Sequence, residues 1–199
     1  KKVYYDQLLG RAVSKFIPAE DLIVPYTATS LDDAESIIHS LKMSENDLRK
    51  QQVNGFYSDV DLGPPGVTSN DDLTKKEREL DGTKKTGKQE PVYTLLECHV
   101  NLDLEGFEDI DGEGEPTGIK LPYIVTVDEG SRKVLAIRRN YAPEDPKKNK
   151  IQYFVHFKFL PGLGFYGFGL IHMIGGLSIS ATAALRQLLD AGTLSNLPA

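Results

Sequence analysis

Residues 91–104 read PVYTLLECHVNLDL, and this stretch decides the fold class. From residue 96 onward its apolar side chains fall on every second position, namely Leu96, Cys98, Val100, Leu102 and Leu104. Successive side chains of a β-strand point to opposite faces of the sheet, so this spacing predicts a long strand with one apolar face. Such a strand needs neighbours to pair with.

The chain after this strand supplies candidate neighbours. Residues 119–127 and 134–139 are rich in aliphatic residues, and they flank Asp128-Glu129-Gly130-Ser131, a composition typical of a tight hairpin turn. Residues 151–159 form a fourth candidate strand. We therefore predict an α+β fold, in which an antiparallel sheet of about four strands packs on short helices or on another subunit.

The chain before residue 62 gives mixed signals. Helical spacing near its start predicts a short helix around Leu8, Leu9 and Val13. Residues 21–24 are expected to be extended, because a following proline disfavours helix at the residue before it. Residues 36–43 favour a short strand, although their spacing also allows a continued helix.

Two serine–aspartate pairs mark predicted helix starts. Ser30 and Asp33 resemble a capping box and predict a helical turn over 31–36. Ser44 and Asp47 repeat the pattern and predict a helix over 45–53, which ends at Asn54-Gly55, where a left-handed residue is natural.

Polarity divides the chain into four ranges. Residues 1–62 form an N-terminal α/β portion, and residues 63–90 are too polar to bury a core and predict an exposed linker or loop. Residues 91–169 form the antiparallel β portion. Residues 170–199 contain a predicted apolar helix from about 170 to 191, with Gly192 as its stop and Gly175-Gly176 as a kink or close-packing point.

One face of this last helix is apolar. Its members recur at spacings of three and four residues: Leu177, Ala181, Ala184, Leu185 and Leu188. A membrane span is not predicted here, because residues 159–185 contain six glycines, Pro161 and His172. Because this apolar face needs a partner, Leu177, Leu185 and Leu188 are candidates for subunit or DNA contact.

Composition narrows the class of protein. The 199 residues carry a formal charge of −6 and are 40% hydrophobic, which is typical of a soluble globular protein and unlike a surface built to grip nucleic acid. A single cysteine excludes a disulfide framework within the chain and fits a reducing compartment. Lys1-Lys2 is followed by no signal-peptide pattern, so secretion is not expected.

Candidate catalytic and ligand-binding motifs are weak. Cys98 and His99 suggest a thiolate with a neighbouring base, but adjacent residues of a strand point to opposite faces. The four histidines lack the spacing of a zinc site, and the acidic residues of 103–115 depart from the order of an EF-hand loop. The glycine-rich residues 162–169 match neither phosphate-loop pattern. We predict no catalytic residues, no metal site and no cofactor.

The second half of the chain has one concentration of basic residues. It comprises Arg132, Lys133, Arg138, Arg139, Lys147, Lys148 and Lys150. These side chains are candidates for DNA or subunit contact, although a solvated hairpin face explains them equally well.

Six stretches, taken together, resemble portal proteins of podovirus-type tailed bacteriophages. They are IVPYTATSLDDA at 23–34, MSENDLRK at 43–50, LECH at 96–99, GIKLPY at 118–123, IQYFVH at 151–156 and FLPGLGFYGFGL at 159–170. The resemblance lies in the amino-acid sequences of these stretches and in their order. It runs from about residue 21 to the end and does not include the 63–89 region.

This resemblance implies a structural viral protein. Portal subunits of this type form a dodecameric ring at one capsid vertex, dock the terminase, contact capsid and tail adaptor proteins, and let double-stranded DNA pass transiently in both directions. They catalyse no bond chemistry, have no membrane partner, assemble in the host cytoplasm and reside in the virion. They are several times longer than 199 residues, so we expect an internal fragment with wing, stem or clip material.

Two other classes of function remain open from the residues alone. A small nucleic-acid-binding module would use the basic hairpin and bind with steep salt dependence. A hydrolase or transferase would require Cys98, His99 or the acidic loop to converge in a pocket.

Overall fold

The computed structural model describes residues 1–6, 9–65, 91–162 and 164–195. Within them the strands are β1 (Lys2–Asp6), β2 (Arg11–Lys15), β3 (Leu22–Ile23), β4 (Ile37–Ser44), β5 (Val92–Leu102), β6 (Leu121–Asp128) and β7 (Val134–Arg139). The helices are α1 (Glu45–Val53) and α2 (Leu170–Ser195), with a 3₁₀ turn at Ala19–Asp21.

The predicted α+β class with an antiparallel sheet is confirmed. Strands β3 to β7 form one five-stranded sheet in the order β3-β4-β5-β6-β7, and β1 pairs with β2 in a separate hairpin. The predicted strands at 91–104, 119–127, 134–139 and 36–43 are present as β5, β6, β7 and β4. The N-terminal range 1–62 thus adds two strands to the sheet formed by range 91–169.

Strand β5 lies at the centre of the sheet. It pairs along eight residues with β4 on one side and along eight with β6 on the other. Its odd-numbered side chains lie on the core face, where Tyr93 and Leu95 are buried, whereas its even-numbered side chains from Thr94 to Leu102 are only partly buried. The strand thereby sets which face of the whole sheet is covered.

Two clusters of buried side chains form the core. One joins Leu48 of α1 to Tyr57, Tyr93, Leu95 and Leu135. The other packs the loop residues Ala28, Leu31 and Ala34 with Ile37, Phe154 and Phe165. Both clusters bring residues before position 62 against residues after position 91.

Helix α1 begins and ends as predicted. The Ser44 side chain accepts a hydrogen bond from the Asp47 backbone amide at 3.2 Å, which satisfies one of the unpaired amides of the first turn. Gly55 follows the last turn with φ of 71°, the left-handed conformation that terminates helices.

The fourth predicted strand is wrong. Residues 151–159 contribute only a single bridge, between Phe154 and Lys2, and Val3 donates its amide to the Tyr153 carbonyl at 2.8 Å. The segment lies over the core face beside β1, with Phe154 buried, and does not extend an edge of the five-stranded sheet. Strands β3 and β4 complete that sheet instead.

Three helix predictions also need correction. The segment around Leu9 and Val13 is a β-hairpin, since cross-strand pairing of β1 and β2 outweighs a local helical spacing; Leu8 lies outside the described residues. Residues 31–36 form bends, although Ser30 and Asp33 make the reciprocal hydrogen bonds of a capping box. Helix α2 runs past Gly192 to Ser195, because one glycine costs a helix only about 1 kcal/mol.

The linker predicted at 63–90 lies almost wholly outside the described residues, which include only Gly63 to Pro65 of it. Residues 196–199 are likewise outside them.

The one-sided sheet predicts unequal effects at adjacent positions of β5. Leu95 is fully buried, so Leu95→Ala should lower the free energy of unfolding by about 2–5 kcal/mol through lost burial and a residual cavity. Leu96→Ala removes the same atoms from the opposite, partly exposed face and should cost clearly less. Chemical denaturation of both variants measures the difference, and equal losses would contradict a sheet buried on one face.

Candidate functional site

The basic hairpin side chains are largely engaged within the chain. The Arg138 guanidinium lies 3.6 Å from the centroid of the Phe56 ring and donates a hydrogen bond to the Phe56 carbonyl at 2.5 Å. Lys133 donates to the Asp61 carbonyl at 2.5 Å. Both contacts fasten the segment after α1 to strand β7.

The remaining basic candidates divide into two groups. Lys148 forms an ion pair with Asp109, and Arg139 lies 5.9 Å from the Phe107 ring, so both contact the acidic loop that follows β5. Arg132 and Lys147 are exposed. The structure therefore brings Arg132, Lys133, Arg138 and Arg139 onto one hairpin, but only part of this charge points to solvent.

Lys150 is used structurally. Its ammonium group donates to the backbone carbonyls of Leu31, Asp32 and Ala34 at 3.0 to 3.2 Å. It thereby holds the 28–34 loop in place over the core.

Helix α2 has no cover within the described residues. Its candidate contact residues Leu177, Leu185 and Leu188 are 72%, 61% and 70% exposed. The other large apolar side chains described on it, from Leu170 to Leu189, are exposed too. Within these residues α2 makes no extended contact with any strand, and a helix that is apolar on several sides is normally buried by a partner.

Sequence analysis missed a partly buried charged cluster on the core face. Lys2 of β1 donates to both carboxylate oxygens of Glu97 at 2.5 and 2.6 Å, and His99 lies 2.8 Å from the same carboxylate. The side chains of Lys2 and Glu97 are 14% and 13% exposed. Glu97 and His99 are two residues apart on a strand, so their shared face could have been recognised, whereas the approach of Lys2 could not.

The surroundings shift the pKa values in this cluster. Burial raises the pKa of Glu97, but the hydrogen bonds from His99 and Lys2 outweigh it and bring the pKa to about 2. His39 lies opposite Glu97 on β4, and burial lowers its pKa to about 4. The Nδ1 atom of His39 has no hydrogen-bond partner among the described residues. At neutral pH the cluster thus holds a partly buried Lys2–Glu97 ion pair beside a neutral His39.

Cys98 and His99 lie on opposite faces of β5. His99 packs edge-on against Phe154 on the core face, with ring centroids 4.9 Å apart, whereas Cys98 pairs across the sheet with Ile38 and Val125 on the other face. Burial raises the pKa of the Cys98 thiol, which disfavours the thiolate. This arrangement provides no thiolate–imidazole pair.

The acidic loop uses its carboxylates for its own structure. Asp111 accepts the backbone amides of Glu113 and Glu115, and Asp109 accepts the Thr117 hydroxyl besides the Lys148 ammonium. Across the described ranges, no three His, Cys, Asp or Glu side chains are placed to hold a metal ion.

A small cavity of about 20 Å³ lies beneath residue 150. Its lining includes His99, Asn101, Asn140 and Gln152, and Oδ1 of the buried Asn140 has no partner among the described groups. A volume of this size suits about one water molecule and excludes an organic substrate.

The sequence matches no protein-family model, and no curated protein matches it either. In the part of the chain that the structure describes, no helix is long and apolar enough to cross a membrane.

The buried cluster predicts a loss of stability in acid. Between pH 6.5 and about 4 the unfolded chain protonates at His39 and the folded chain does not, so the free energy of unfolding should fall by up to about 3 kcal/mol as the pH drops through this window. Glu97 should add a second loss between pH 4.5 and about 2, because its folded-state pKa is depressed.

Urea denaturation from pH 4 to pH 7 measures the first window. His39→Phe should weaken the pH dependence of the free energy of unfolding, while His172→Gln, at an exposed position on α2, should leave this dependence unchanged. An unaltered pH dependence in His39→Phe would contradict the assignment.

The Arg138 contacts predict a structural role for that side chain. Arg138→Ala should lower the free energy of unfolding by about 1–2 kcal/mol, because it removes the cation–π contact with Phe56 and a hydrogen bond. Arg138→Lys should recover only part of this, since an ammonium cannot reproduce the planar stacking. Arg132→Ala, at an exposed hairpin position, is the matched control and should change it by less than about 0.5 kcal/mol. Equal losses at both positions would contradict the role.

Proposed function

We propose that this chain is a segment of the portal protein of a podovirus-type tailed bacteriophage. In this role it is a structural ring subunit that surrounds the DNA during packaging and ejection. The ordered set of six sequence stretches from residue 23 to residue 170 supports the assignment, and the α+β body followed by a long apolar helix is compatible with wing and stem material.

The observation that carries the proposal is the exposure of α2. A helix of 26 residues with Leu177, Leu185 and Leu188 open to solvent is unfavourable in an isolated monomer. Burial against neighbouring copies removes this cost, and a closed ring provides such neighbours for every subunit. Assembly into a ring is therefore the function that best accounts for the helix.

Charge distribution supports DNA transit over DNA binding. The chain carries a net charge of −6, and several of its basic candidates, among them Lys133, Arg138 and Lys148, are engaged within the chain. An excess of negative charge opposes tight binding to DNA phosphates, so DNA contacts in the proposed role would be weak and transient. A dedicated nucleic-acid-binding module gains no specific support from this arrangement.

The wider role follows from the same proposal. The partners would be further copies in a dodecameric ring, the terminase, the capsid and the tail adaptor proteins, with assembly in the host cytoplasm and residence at a virion vertex. Catalysis is not part of the proposed role, and no cofactor is required for it.

Solution mass tests the proposal. Light scattering over a concentration series, with native mass spectrometry, should show rings or reversible higher oligomers. Leu185→Glu together with Leu188→Glu should shift the mass toward monomer, because the charges cannot be buried in the contact. The paired control is Ile119→Glu with Ile151→Glu, at exposed positions outside α2, which should leave the mass unchanged.

Two results would oppose the proposal. A compact monomer at every concentration would remove its basis in assembly. Binding of short duplex DNA by the monomer, with a steep salt dependence that Arg132→Ala reduces, would favour the nucleic-acid-binding module instead.

A further inference from the structure

The sheet face opposite the core carries a partly exposed aliphatic patch. We call it the open patch; its members lie side by side on β4, β5, β6 and β7, and they are Ile38, Leu96, Cys98, Val125, Val127 and Ile137. None of them belongs to either core cluster. Ile137 is 50% exposed, as is Ile23 at the adjoining edge strand β3.

Among the described residues, contacts close the far end of this face. There Tyr123 donates its hydroxyl to the Phe107 carbonyl at 3.2 Å and packs edge-on against Tyr141. Leu121 and Tyr123 are consequently buried, whereas Val125 and Val127 of the same strand are only partly buried. The cover supplied by the acidic loop therefore stops before the open patch begins.

We propose that the open patch receives helix α2 from a second copy of this chain. This inference rests on the proposed ring function and names the surface that the helix occupies. Both surfaces are aliphatic: the open patch contains no charged side chain, and α2 carries none from Leu170 to Leu185. Interface cores are depleted of charge in the same way.

The dimensions of the two surfaces are compatible. A helix of 26 residues is about 39 Å long, and five strands spaced by about 4.8 Å span about 19 Å between the outer strand axes. Helix α2 is therefore long enough to cross the whole sheet. The apolar face of α2 has three leucines and two alanines; at about 100 Å² for each leucine and about half of that for each alanine, the contact buries about 400 Å² per copy. The total of about 800 Å² is that of a weak contact, and in a closed ring each copy makes this contact twice.

A contact between α2 and the open patch is favoured over a contact between two α2 helices, because it covers both surfaces. If α2 packed only on α2, the described residues would leave the open patch partly exposed in every copy. When α2 of one copy lies on the patch of the next, each chain both gives and receives a helix, so the contact is head-to-tail and can close into a ring. It also completes a helix layer over the bare side of the sheet.

The single cysteine makes the contact measurable. Cys98 lies in the open patch, and Ala181→Cys adds a thiol in the middle of the α2 stripe. Mild oxidation of Ala181→Cys should give a ladder of chains linked between position 98 and position 181, located by peptide mass spectrometry. The matched control adds Cys98→Ser, and this double variant should give no ladder.

A second measurement does not depend on disulfide chemistry. Val125→Lys places a charge in the open patch and should raise the dissociation constant of self-association at least about tenfold. Ile119→Lys, at a 58% exposed position outside the patch, is the control and should leave it unchanged. Circular dichroism of both variants establishes that the fold is kept.

The outcomes separate this inference from the ring proposal. Oligomers that form without the 98–181 link and are insensitive to Val125→Lys would overturn the inference and leave the ring standing. Crosslinking in the double variant would show that α2 contacts α2 of another copy. A 98–181 link within one chain would show that the patch is covered by the chain's own helix. Either result overturns the inference. A monomer at all concentrations would overturn both proposals.

Discussion

Strand β5 is hydrogen-bonded to a neighbour on each side, and this pairing fixes the arrangement of the whole sheet. Because the strand pairs with β4 and β6 over eight residues each, its alternation fixes the facing of every other strand in the sheet. Tyr93 and Leu95 turn toward α1 and the first segment of the chain, and the even-numbered residues turn away. A slip of one residue would exchange the two faces and bury neither cluster.

The covered face of the sheet contains charged groups as well as apolar contacts, and removing those groups from water costs free energy. A lysine and a glutamate removed from water stabilise a fold only when their pairing is close, and Lys2, Glu97 and His99 meet this condition with bonds of 2.5 to 2.8 Å. His39 beside them is neutral, its Nδ1 has no hydrogen-bond partner in the part of the chain that the structure describes, and this makes the face sensitive to acid. The hairpin β1–β2 is thereby joined to the sheet by a contact that depends on the protonation state.

The uncovered surfaces have a different physical meaning. Individual exposed apolar side chains are ordinary, but α2 and the open patch are extended and contiguous, and in water such surfaces favour association. Arg138 and Lys133 donate hydrogen bonds to the Phe56 and Asp61 carbonyls, so these two cations have a structural use within the chain. The proposed role in an assembly gives the exposed apolar surfaces a function.

Local sequence signals were sufficient to predict the alternation of β5, the β6–β7 hairpin with its turn at Asp128, and the Ser44 cap of α1. The folded chain was needed to show which strands pair with β5, that 151–159 is not a strand, and that Lys2 reaches Glu97 across 95 positions. It also decided that Arg138 faces Phe56 and that α2 stays uncovered within the described residues. The reason is physical: periodicity and capping act between residues a few positions apart, whereas strand order, ion pairing and cover depend on segments that meet only when the chain has folded.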